Sequence, residues 1–405
     1  MTLPHLWRPM SSRSPFNFPQ IEAHRYRGAL HQALRAIERS GQVILGPGVA
    51  GFEADLAAWL GQGLKAEQVL GVANCTDALE LALHACGVRA GDTVALPSHT
   101  AYATAAAVLR LGAVPLFVDI AVDRPVIDVS ALRSRLAQPP AGRPVKAVIA
   151  VHLYGEVCDL QELLSVCREH GVPLIEDCAQ ACGSQYRGHQ VGTWGDYACF
   201  SFYPTKNLAA CGDGGALVTR AEGESLEQIR RLRFYGWDQS REAVQWGVNS
   251  RLDELQALLL QAKLQHLEHR INQRRRVADW YQQGLSPLLA DTALRKLPTD
   301  GQEWRHSYHL YVVEVEPEHR PALLAHCLNQ GIPAGLHYPK ACHQQAFLRQ
   351  RAAWSTDQER PAGGESLPNT ERLAGRILTL PLHPYLSRNT VERVLRVVRQ
   401  GLQNA

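Results

Sequence analysis

LGVANCTDALELAL, residues 70–83, places a short apolar run directly before a helical pattern. The apolar run ends at Ala73, a polar turn follows, and the helical pattern begins at Asp77. A continuous apolar run of this length is typical of a strand that is buried on both faces. The stretch therefore predicts a strand, turn and helix of the kind from which α/β folds are built.

The same alternation continues on the C-terminal side of this stretch. The predicted helices are Asp77–Cys86, Tyr102–Leu111 and Leu160–His170. The predicted strands are Val69–Ala73, Thr93–Leu96, Val114–Asp119, Val145–His152, Val172–Glu176, Ala198–Tyr203 and Ala216–Thr219. Buried strands joined by crossover helices predict an α/β core with a largely parallel sheet.

Changes of pattern divide the chain into three parts. We expect residues 1–40 to form an N-terminal arm and a first helix, 41–270 a large domain, and 271–405 a small α+β domain. A long helix from Val248 to His269, continuing toward Tyr281, is predicted to connect the two domains. The small domain is predicted to contain a strand at His309–Glu316, a helix at Arg320–Asn329 and a second strand at Gly335–Tyr338. A loop rich in charge, Pro and Gly is predicted at Arg351–Leu367.

Composition argues against several classes of protein. The 405 residues are 45% hydrophobic and 20% charged, as in ordinary globular proteins. The net charge of +3 comes from dispersed arginines, so no nucleic-acid partner is expected. No apolar run reaches the roughly 20 residues that cross a membrane, and the N-terminal stretch lacks the apolar segment of a secretory signal.

The ten cysteines are expected to be reduced thiols of a cytoplasmic protein. None belongs to a CxxC pair, and most lie inside apolar segments. Cys178 and Cys182 are four positions apart, but no further ligand spacing accompanies them. No metal site is predicted.

The turn of Asn74, Cys75 and Thr76 lies at a predicted helix start. Free backbone N–H groups and the positive end of the helix dipole bind anions such as phosphate at such a place. The Thr76 hydroxyl offers a further donor. The alternative is that Thr76 or Asp77 only caps the helix.

Asp177 ends the apolar run VPLIED, residues 172–177. Open α/β sheets bind their ligands beyond the carboxyl ends of the strands. A carboxylate there can pair with a protonated ring nitrogen, as it does in pyridoxal phosphate (PLP) enzymes, whose charged ring accepts electrons from the substrate. Capping of the next helix is the alternative role for this carboxylate.

Lys206 lies in SFYPTKNLAACGDGG, residues 201–215, between a predicted strand and a glycine-rich turn. Lysine is scarce in this chain, with six lysines against 36 arginines. Unlike a guanidinium group, a desolvated amine can lose its proton and form a Schiff base with an aldehyde. A surface lysine is the alternative. A phosphate turn, a strand-end carboxylate and this lysine, in this order, favour a PLP site.

These segments resemble the sugar aminotransferases of the DegT type, which are PLP enzymes of fold type I. The resemblance runs from about residue 43 to 385 and is carried above all by NCTDALELAL (74–83), IEDCAQACGSQYRGHQVGTWGD (175–196), SFYPTKNLAACGDGGALVT (201–219) and GVNSRLDELQALLL (247–260). It implies a large, mostly parallel sheet domain followed by a small C-terminal α+β domain.

The resemblance also implies a role for each matching residue. Lys206 would form the Schiff base and shuttle a proton between the cofactor and the sugar carbon, and Asp177 would bind the ring nitrogen. The other cofactor contacts would come from Gln180 at the 3-hydroxyl, from Cys75, Thr76 and Ser201 at the phosphate, and from Asn249 at the phosphate of the neighbouring subunit's cofactor. A homodimer with shared active sites is thus implied. Tyr203, His337 and Tyr338 would line the sugar pocket, although a packed histidine is the alternative for His337.

One position departs from the family's pattern. Family members usually carry an aromatic residue directly after the Thr of a PS-x-T turn, where it stacks on the pyridine ring, but this chain has Ala101. His99 and Tyr102 are the two candidates to replace it.

The retained Lys206 implies transamination, because members that dehydrate their substrate carry histidine there. L-glutamate would donate the amino group and a nucleotide-linked keto-sugar would accept it. SFYPTKN and NSRLDELQA are more similar to members that act on C3 of dTDP-linked 3-keto-6-deoxyhexoses than to C4 enzymes, which often read NYR in place of NSR. The alternatives are C4 amination of a nucleotide 4-keto-sugar, amination of a cyclitol ketone in antibiotic biosynthesis, another PLP reaction such as dehydration, and a regulator without enzyme activity.

Overall fold

The computed structural model describes residues 19–139, 143–354 and 366–403. Most of the predicted N-terminal arm and residues 355–365 of the predicted Arg351–Leu367 loop lie outside these ranges. The strands are β1 (Val69–Val72), β2 (Thr93–Pro97), β3 (Val114–Val118), β4 (Val145–Val151), β5 (Leu174–Asp177), β6 (Gln185–Tyr186), β7 (His189–Gln190), β8 (Tyr197–Ser201), β9 (Gly215–Thr219), β10 (Leu294–Lys296), β11 (Trp304–Arg305), β12 (Tyr311–Val315) and β13 (Ile377–Leu380).

Helices precede, connect and follow these strands. They are α1 (Pro19–Arg25), α2 (Arg27–Ser40), α3 (Pro47–Leu60), α4 (Cys75–Ala85), α5 (Tyr102–Arg110), α6 (Val129–Ala137), α7 (Leu160–Glu169), α8 (Gly223–Leu232), α9 (Glu254–Leu264), α10 (Leu267–Leu285), α11 (Arg320–Asn329), α12 (Ala346–Trp354), α13 (Pro368–Arg376) and α14 (Arg388–Gln403).

The large domain is built on one seven-stranded sheet with the order β1-β9-β8-β5-β4-β2-β3. From β8 to β3 all neighbouring strands are parallel, whereas β9 is antiparallel to both of its neighbours, β8 and β1. The predicted α/β fold with a largely parallel sheet is therefore confirmed. Because β1, β5 and β8 point the same way, their carboxyl ends meet at one edge of the sheet.

Helices cover both faces of this sheet, which explains why the strands read as continuous apolar runs. Phe200 of β8 and Val218 of β9 pack in one cluster with residues of α3, α9 and α10. The preceding residues of the same strands, Cys199 and Leu217, pack in a second cluster with residues of α4, α5 and α8. Successive side chains of a strand point to opposite faces, so both faces need apolar residues.

The C-terminal part forms a second core around the antiparallel sheet β10-β12-β13. Side chains from α10, α11 and α14 pack with this sheet in one cluster that begins at Val277. The strand β11 pairs with β6 and so connects the chain before β12 to the large domain.

The long helix predicted from Val248 toward Tyr281 is confirmed only in part, because it begins at Glu254 and consists of two helices, α9 and α10. The chain is extended before α9, where Asn249 forms a bridge with Phe234 and Asp253 forms one with Ile44. The helical segment then ends at Leu264 and restarts as α10. The apolar spacing alone could not reveal these bridges, because their partners lie far away in the sequence.

The predicted second strand of the small domain at Gly335–Tyr338 is wrong. Gly335 makes only an isolated bridge with Thr379 of β13, and β13 supplies the neighbouring strand instead. The backbone carbonyl of His337 accepts a hydrogen bond from the Tyr154 hydroxyl rather than from a strand. This segment therefore faces the large domain.

No described helix combines the length and the apolar character that a membrane crossing requires. All ten cysteines are free thiols, as expected from their spacing, and Cys211 is the exposed one.

Candidate active site

The predicted phosphate turn forms the first turn of α4, which begins at Cys75 and not at Asp77. Asn74 is the N-cap, and its side-chain oxygen accepts a hydrogen bond from the Asp77 N–H at 2.9 Å. Within the described residues, the backbone N–H groups of Cys75 and Thr76 have no acceptor. Two free donors at a helix start form an anion site.

Gly215 brings the turn and the strand before Lys206 together. Its neighbours in the sheet are Val72 of β1 on one side and Ser201 of β8 on the other. A Cβ atom at Gly215 would lie 2.5 Å from the Asn74 carbonyl carbon, so only glycine fits there. Ser201 is thereby placed at the same sheet edge as the turn.

Asp77 does not cap the helix, contrary to one alternative interpretation of the sequence. Its carboxylate accepts hydrogen bonds from the Ser250 hydroxyl at 2.7 Å and from Arg110 at 2.8 Å. The fully buried Ser250 follows Asn249, so the phosphate turn is connected to the segment that carries Asn249. Asn249 itself is exposed.

Asp177 ends β5 as predicted, and its carboxylate is buried with two hydrogen-bond donors. Thr104 Oγ1 donates to Oδ2 at 2.9 Å, and the Ala179 N–H donates to Oδ1 at 3.1 Å. Burial raises the pKa of Asp177 above its ordinary value, and these two hydrogen bonds and the nearby charge of Lys206 offset part of that rise. Because the donors favour the ionised form, the site is arranged for a carboxylate that faces a cation.

Lys206 is a cation that acts on this carboxylate, and a smaller effect comes from His152. Burial lowers the pKa of the lysine amine, and the charges of Cys75 and Asp177 act against that shift. No described group accepts a hydrogen bond from its amine. The turn after Lys206 is held by α9, because the buried Lys263 of that helix donates a hydrogen bond to the Ala209 carbonyl at 2.7 Å. A desolvated amine on a fixed turn suits a nucleophile.

The predicted sugar-pocket residues lie around the same sheet edge. The charge of Lys206 lowers the pKa of His337, and that of Asp177 raises the pKa of Tyr338, although burial is the larger cause in both cases. Tyr203 is about half exposed at the end of β8. His337 and Tyr338 therefore lie close enough to Lys206 and Asp177 for those charges to act on them.

Gln180 is buried beside Asp177, and its amide is held from two sides. Its Oε1 accepts from the Tyr154 N–H at 2.8 Å, and its Nε2 donates to the Tyr338 hydroxyl at 3.0 Å. The second Nε2 proton remains for a further acceptor.

The structure separates the two candidates for the ring-stacking role. His99 is fully buried, and its Nε2 lies 2.7 Å from the Tyr154 hydroxyl, so its ring does not face an open cavity. Tyr102 is 38% exposed at the start of α5. This geometry disfavours His99 and leaves Tyr102 as the prediction.

Among the described residues, the buried side chains of His152, Glu176 and Cys178 have ligand atoms within 4.8 Å of one another, the spacing that a metal ion requires. His152 already accepts the Cys158 N–H at 3.1 Å and lies 3.1 Å from a Glu176 oxygen. Glu176 also accepts hydrogen bonds from the backbone of the loop 192–195. Burial raises the pKa of the Cys178 thiol well above its usual range. These bonds fix the loop and use the lone pairs that a metal would need.

Three residues near the site received no role from the sequence. Thr104 binds Asp177, Tyr154 binds Gln180, and His309 is buried close enough to Lys206 for the lysine charge to lower its pKa further. The first two contacts join residues far apart in the chain. The sequence feature that could have pointed to His309 is the run HSYHLY, residues 306–311, which is rich in histidine and tyrosine.

A helix-start anion site, a buried strand-end carboxylate and a desolvated lysine at one edge of a mostly parallel sheet define a PLP enzyme of fold type I. The chain belongs to the DegT/DnrJ/EryC1/StrS aminotransferase family, whose model matches residues 25–399. The predicted family, fold and PLP-dependent aminotransferase class are thus confirmed.

Individual relatives match over nearly their whole length. The chain is 38% identical to the "erythromycin biosynthesis sensory transduction protein EryC1" of Saccharopolyspora erythraea over 96% of this chain and 99% of that protein. It is 36% identical to a dTDP-3-amino-3,4,6-trideoxy-alpha-D-glucose transaminase of Streptomyces venezuelae, over 97% of both chains. The structure of S. venezuelae DesV in complex with a ketimine intermediate superposes with a TM-score of 0.85 at 36% identity, covering 96% of this chain and 98% of that one.

Proposed function

We propose that this protein transfers an amino group from L-glutamate to C3 of a dTDP-linked 3-keto-6-deoxyhexose. The observation that carries this proposal is the full-length similarity to a transaminase named for a 3-amino sugar. The sequence segments SFYPTKN and NSRLDELQA of this chain agree with this assignment.

The residues present fit PLP as the cofactor. The free N–H groups of Cys75 and Thr76, with Ser201 at the same sheet edge, suit its phosphate. Asp177 suits the ring nitrogen, and the free Nε2 proton of Gln180 suits the 3-hydroxyl. When bound, the protonated ring supplies an electron sink that acidifies the substrate's α-proton.

The chain's own residues provide binding, orientation and proton transfer. Asp177, which is held by Thr104 and Ala179, fixes a positive charge at the end of β5. Burial lowers the pKa of the Lys206 amine, which makes it easier for this amine to give up a proton and take one back. His337, Tyr338 and Tyr203 orient the sugar above this amine.

A panel of nucleotide sugars tests the C3 assignment. We expect the amine form of the enzyme, made with L-glutamate, to regain its visible absorbance with dTDP-3-keto-6-deoxyhexoses and not with 4-keto isomers. The mass of the product distinguishes amination from dehydration. UDP-linked sugars and a cyclitol ketone are included in the panel to test the other acceptors. Amination of only the 4-keto compounds would contradict the C3 assignment. Failure of glutamate to bleach the bound cofactor would instead favour a regulator.

We also propose a homodimer in which Asn249 reaches the phosphate of the partner's cofactor. Asn249 is exposed, while the next residue, Ser250, binds this chain's own phosphate turn through Asp77. Exposed apolar side chains lie near it in the sequence at Tyr235, Val244 and Trp246. Such residues are typical of an interface.

Mixed dimers provide the test of this sharing. Combining Lys206→Ala chains with Asn249→Ala chains yields hybrids in which one site has lost both residues and the other has lost neither. We therefore expect a hybrid to show about half the activity of the wild-type dimer, well above either parent variant. If Asn249 served its own subunit, each hybrid site would lack one residue and no activity would be regained.

A cytoplasmic location and a domain boundary near residue 270, within α10, remain part of the proposal. The free cysteines support the former. The domain boundary is supported by the two hydrophobic cores, because one includes Ile271 and the other begins at Val277.

A further inference from the structure

Tyr154 connects the large domain to the loop that carries His337 and Tyr338. Its hydroxyl donates to the backbone carbonyl of His337. Its backbone N–H donates to Gln180, which in turn donates to the Tyr338 hydroxyl at 3.0 Å. Two consecutive residues of the loop are therefore held through Tyr154.

The direction of the first hydrogen bond determines the role of His99. Its Nε2 lies 2.7 Å from the Tyr154 hydroxyl oxygen. Burial lowers the pKa of His99 to about 4, so the ring is neutral at physiological pH. A tyrosine hydroxyl has a single proton. Because Tyr154 directs that proton at His337, His99 must donate its own Nε2–H.

The backbone of Tyr154 is also bound on the small-domain side. Its carbonyl accepts the Leu310 N–H at 3.1 Å. Its φ of 64° lies in the left-handed region, which is uncommon for a bulky residue and persists where surrounding contacts require it. At the far end, His337 Nδ1 lies 3.0 Å from Thr379 Oγ1 of β13, so the loop is fixed from both domains.

We propose that Tyr154 is the positioning residue of the sugar half-reaction. It holds the loop 335–340 in a fixed position relative to the amide of Gln180. This inference rests on the proposed function, in which His337 and Tyr338 contact the sugar. The two hydrogen bonds that Tyr154 donates serve different partners. Its hydroxyl positions the sugar side, while its backbone N–H positions the cofactor side and survives replacement of the ring hydroxyl.

Tyr154→Phe separates the two roles. We expect the KM for the keto-sugar to rise at least about tenfold, because the half-buried His337 carbonyl and the buried His99 imidazole each lose a partner. The half-reaction with L-glutamate should stay within about twofold of wild type, since Gln180 keeps its backbone donor. Tyr281→Phe is the matched control, because the Tyr281 hydroxyl donates to the Pro381 carbonyl at 2.8 Å in the core of the small domain.

A second pair of variants covers the case in which Tyr154→Phe folds poorly. His99→Gln keeps an N–H donor near the phenol and is expected to behave as wild type. His99→Leu removes that donor but leaves the Tyr154 hydroxyl donating to the His337 carbonyl, so it is expected to raise the KM for the sugar less than Tyr154→Phe does and to leave the half-reaction with L-glutamate unchanged. Equal losses in both half-reactions, or no loss in either, would overturn the proposal.

Hydrogen exchange gives a readout that does not depend on the proposed function. We expect the peptide covering residues 335–340 to exchange at least about tenfold faster in Tyr154→Phe and unchanged in Tyr281→Phe. Unchanged exchange in Tyr154→Phe refutes the positioning role whatever the substrate is. If exchange is faster in Tyr154→Phe but the wild-type protein aminates no keto-sugar, the proposed function fails and the positioning role of Tyr154 stands.

Discussion

Replacing Lys206 with alanine is expected to lower transamination by at least about 1,000-fold, because one amine supplies both the nucleophile and the proton shuttle. The visible absorbance of the lysine-bound cofactor should disappear at the same time. The variant should still fold and retain weak cofactor binding, since the phosphate turn and Asp177 are untouched. Absorption spectra and single-turnover assays with L-glutamate measure both effects.

Two variants make this result specific to the amine. Lys206→Arg keeps the positive charge but cannot be deprotonated, so it should be as inactive as alanine. Lys146→Ala removes an exposed lysine on β4 and should leave activity and absorbance unchanged. Substantial transamination by Lys206→Ala would reject Lys206 as the Schiff-base residue.

Replacing Asp177 with asparagine is expected to reduce turnover about 100- to 1,000-fold, because a neutral amide cannot hold the positive charge of a protonated ring. The fold should tolerate the change. The asparagine oxygen can still accept the Ala179 N–H, and Thr104 can accept from the new amide. Stopped-flow measurement of each half-reaction should show that both are slowed.

The opposite end of the same strand offers a matched control. Asp196 accepts a hydrogen bond from the Leu174 N–H at 2.8 Å, at the amino end of β5. Asp196→Asn removes a carboxylate there and should leave both half-reactions unchanged. If Asp177→Asn retained wild-type turnover, the carboxylate would have no electronic role and would serve only as a structural acceptor.

The sheet could be predicted because each buried strand carries its own signal. Continuous apolar runs between helical patterns located β4 and β8 to within two residues at either end. The segment around Asn249 was mistaken for helix because its structure depends on bridges to Phe234 and Ile44. A local pattern reports which residues are apolar, but the pairing partner decides whether such a segment is extended.

The site residues that touch the cofactor in the proposed function could be predicted, whereas those that position them could not. Lys206 and Asp177 stand next to strand ends and have distinctive chemistry. Thr104 is an ordinary residue in the first turns of α5, and its importance comes from a hydroxyl placed against a carboxylate 73 positions later. Tyr154 likewise acts through partners at positions 99, 180 and 337. Such contacts arise from the tertiary structure alone.

The position of β1 at the edge of the sheet has a consequence for the order of folding. The strand that leads into the phosphate turn pairs with β9, through Val72 and Gly215, and with no other strand of that sheet. The turn thus leaves the ribosome well before β9, and β1 has no partner among the described strands until β9 has been synthesised. This high contact order makes closure of the cofactor cradle a late and slow event, and a nascent chain that ends before Thr219 has no complete site for the phosphate.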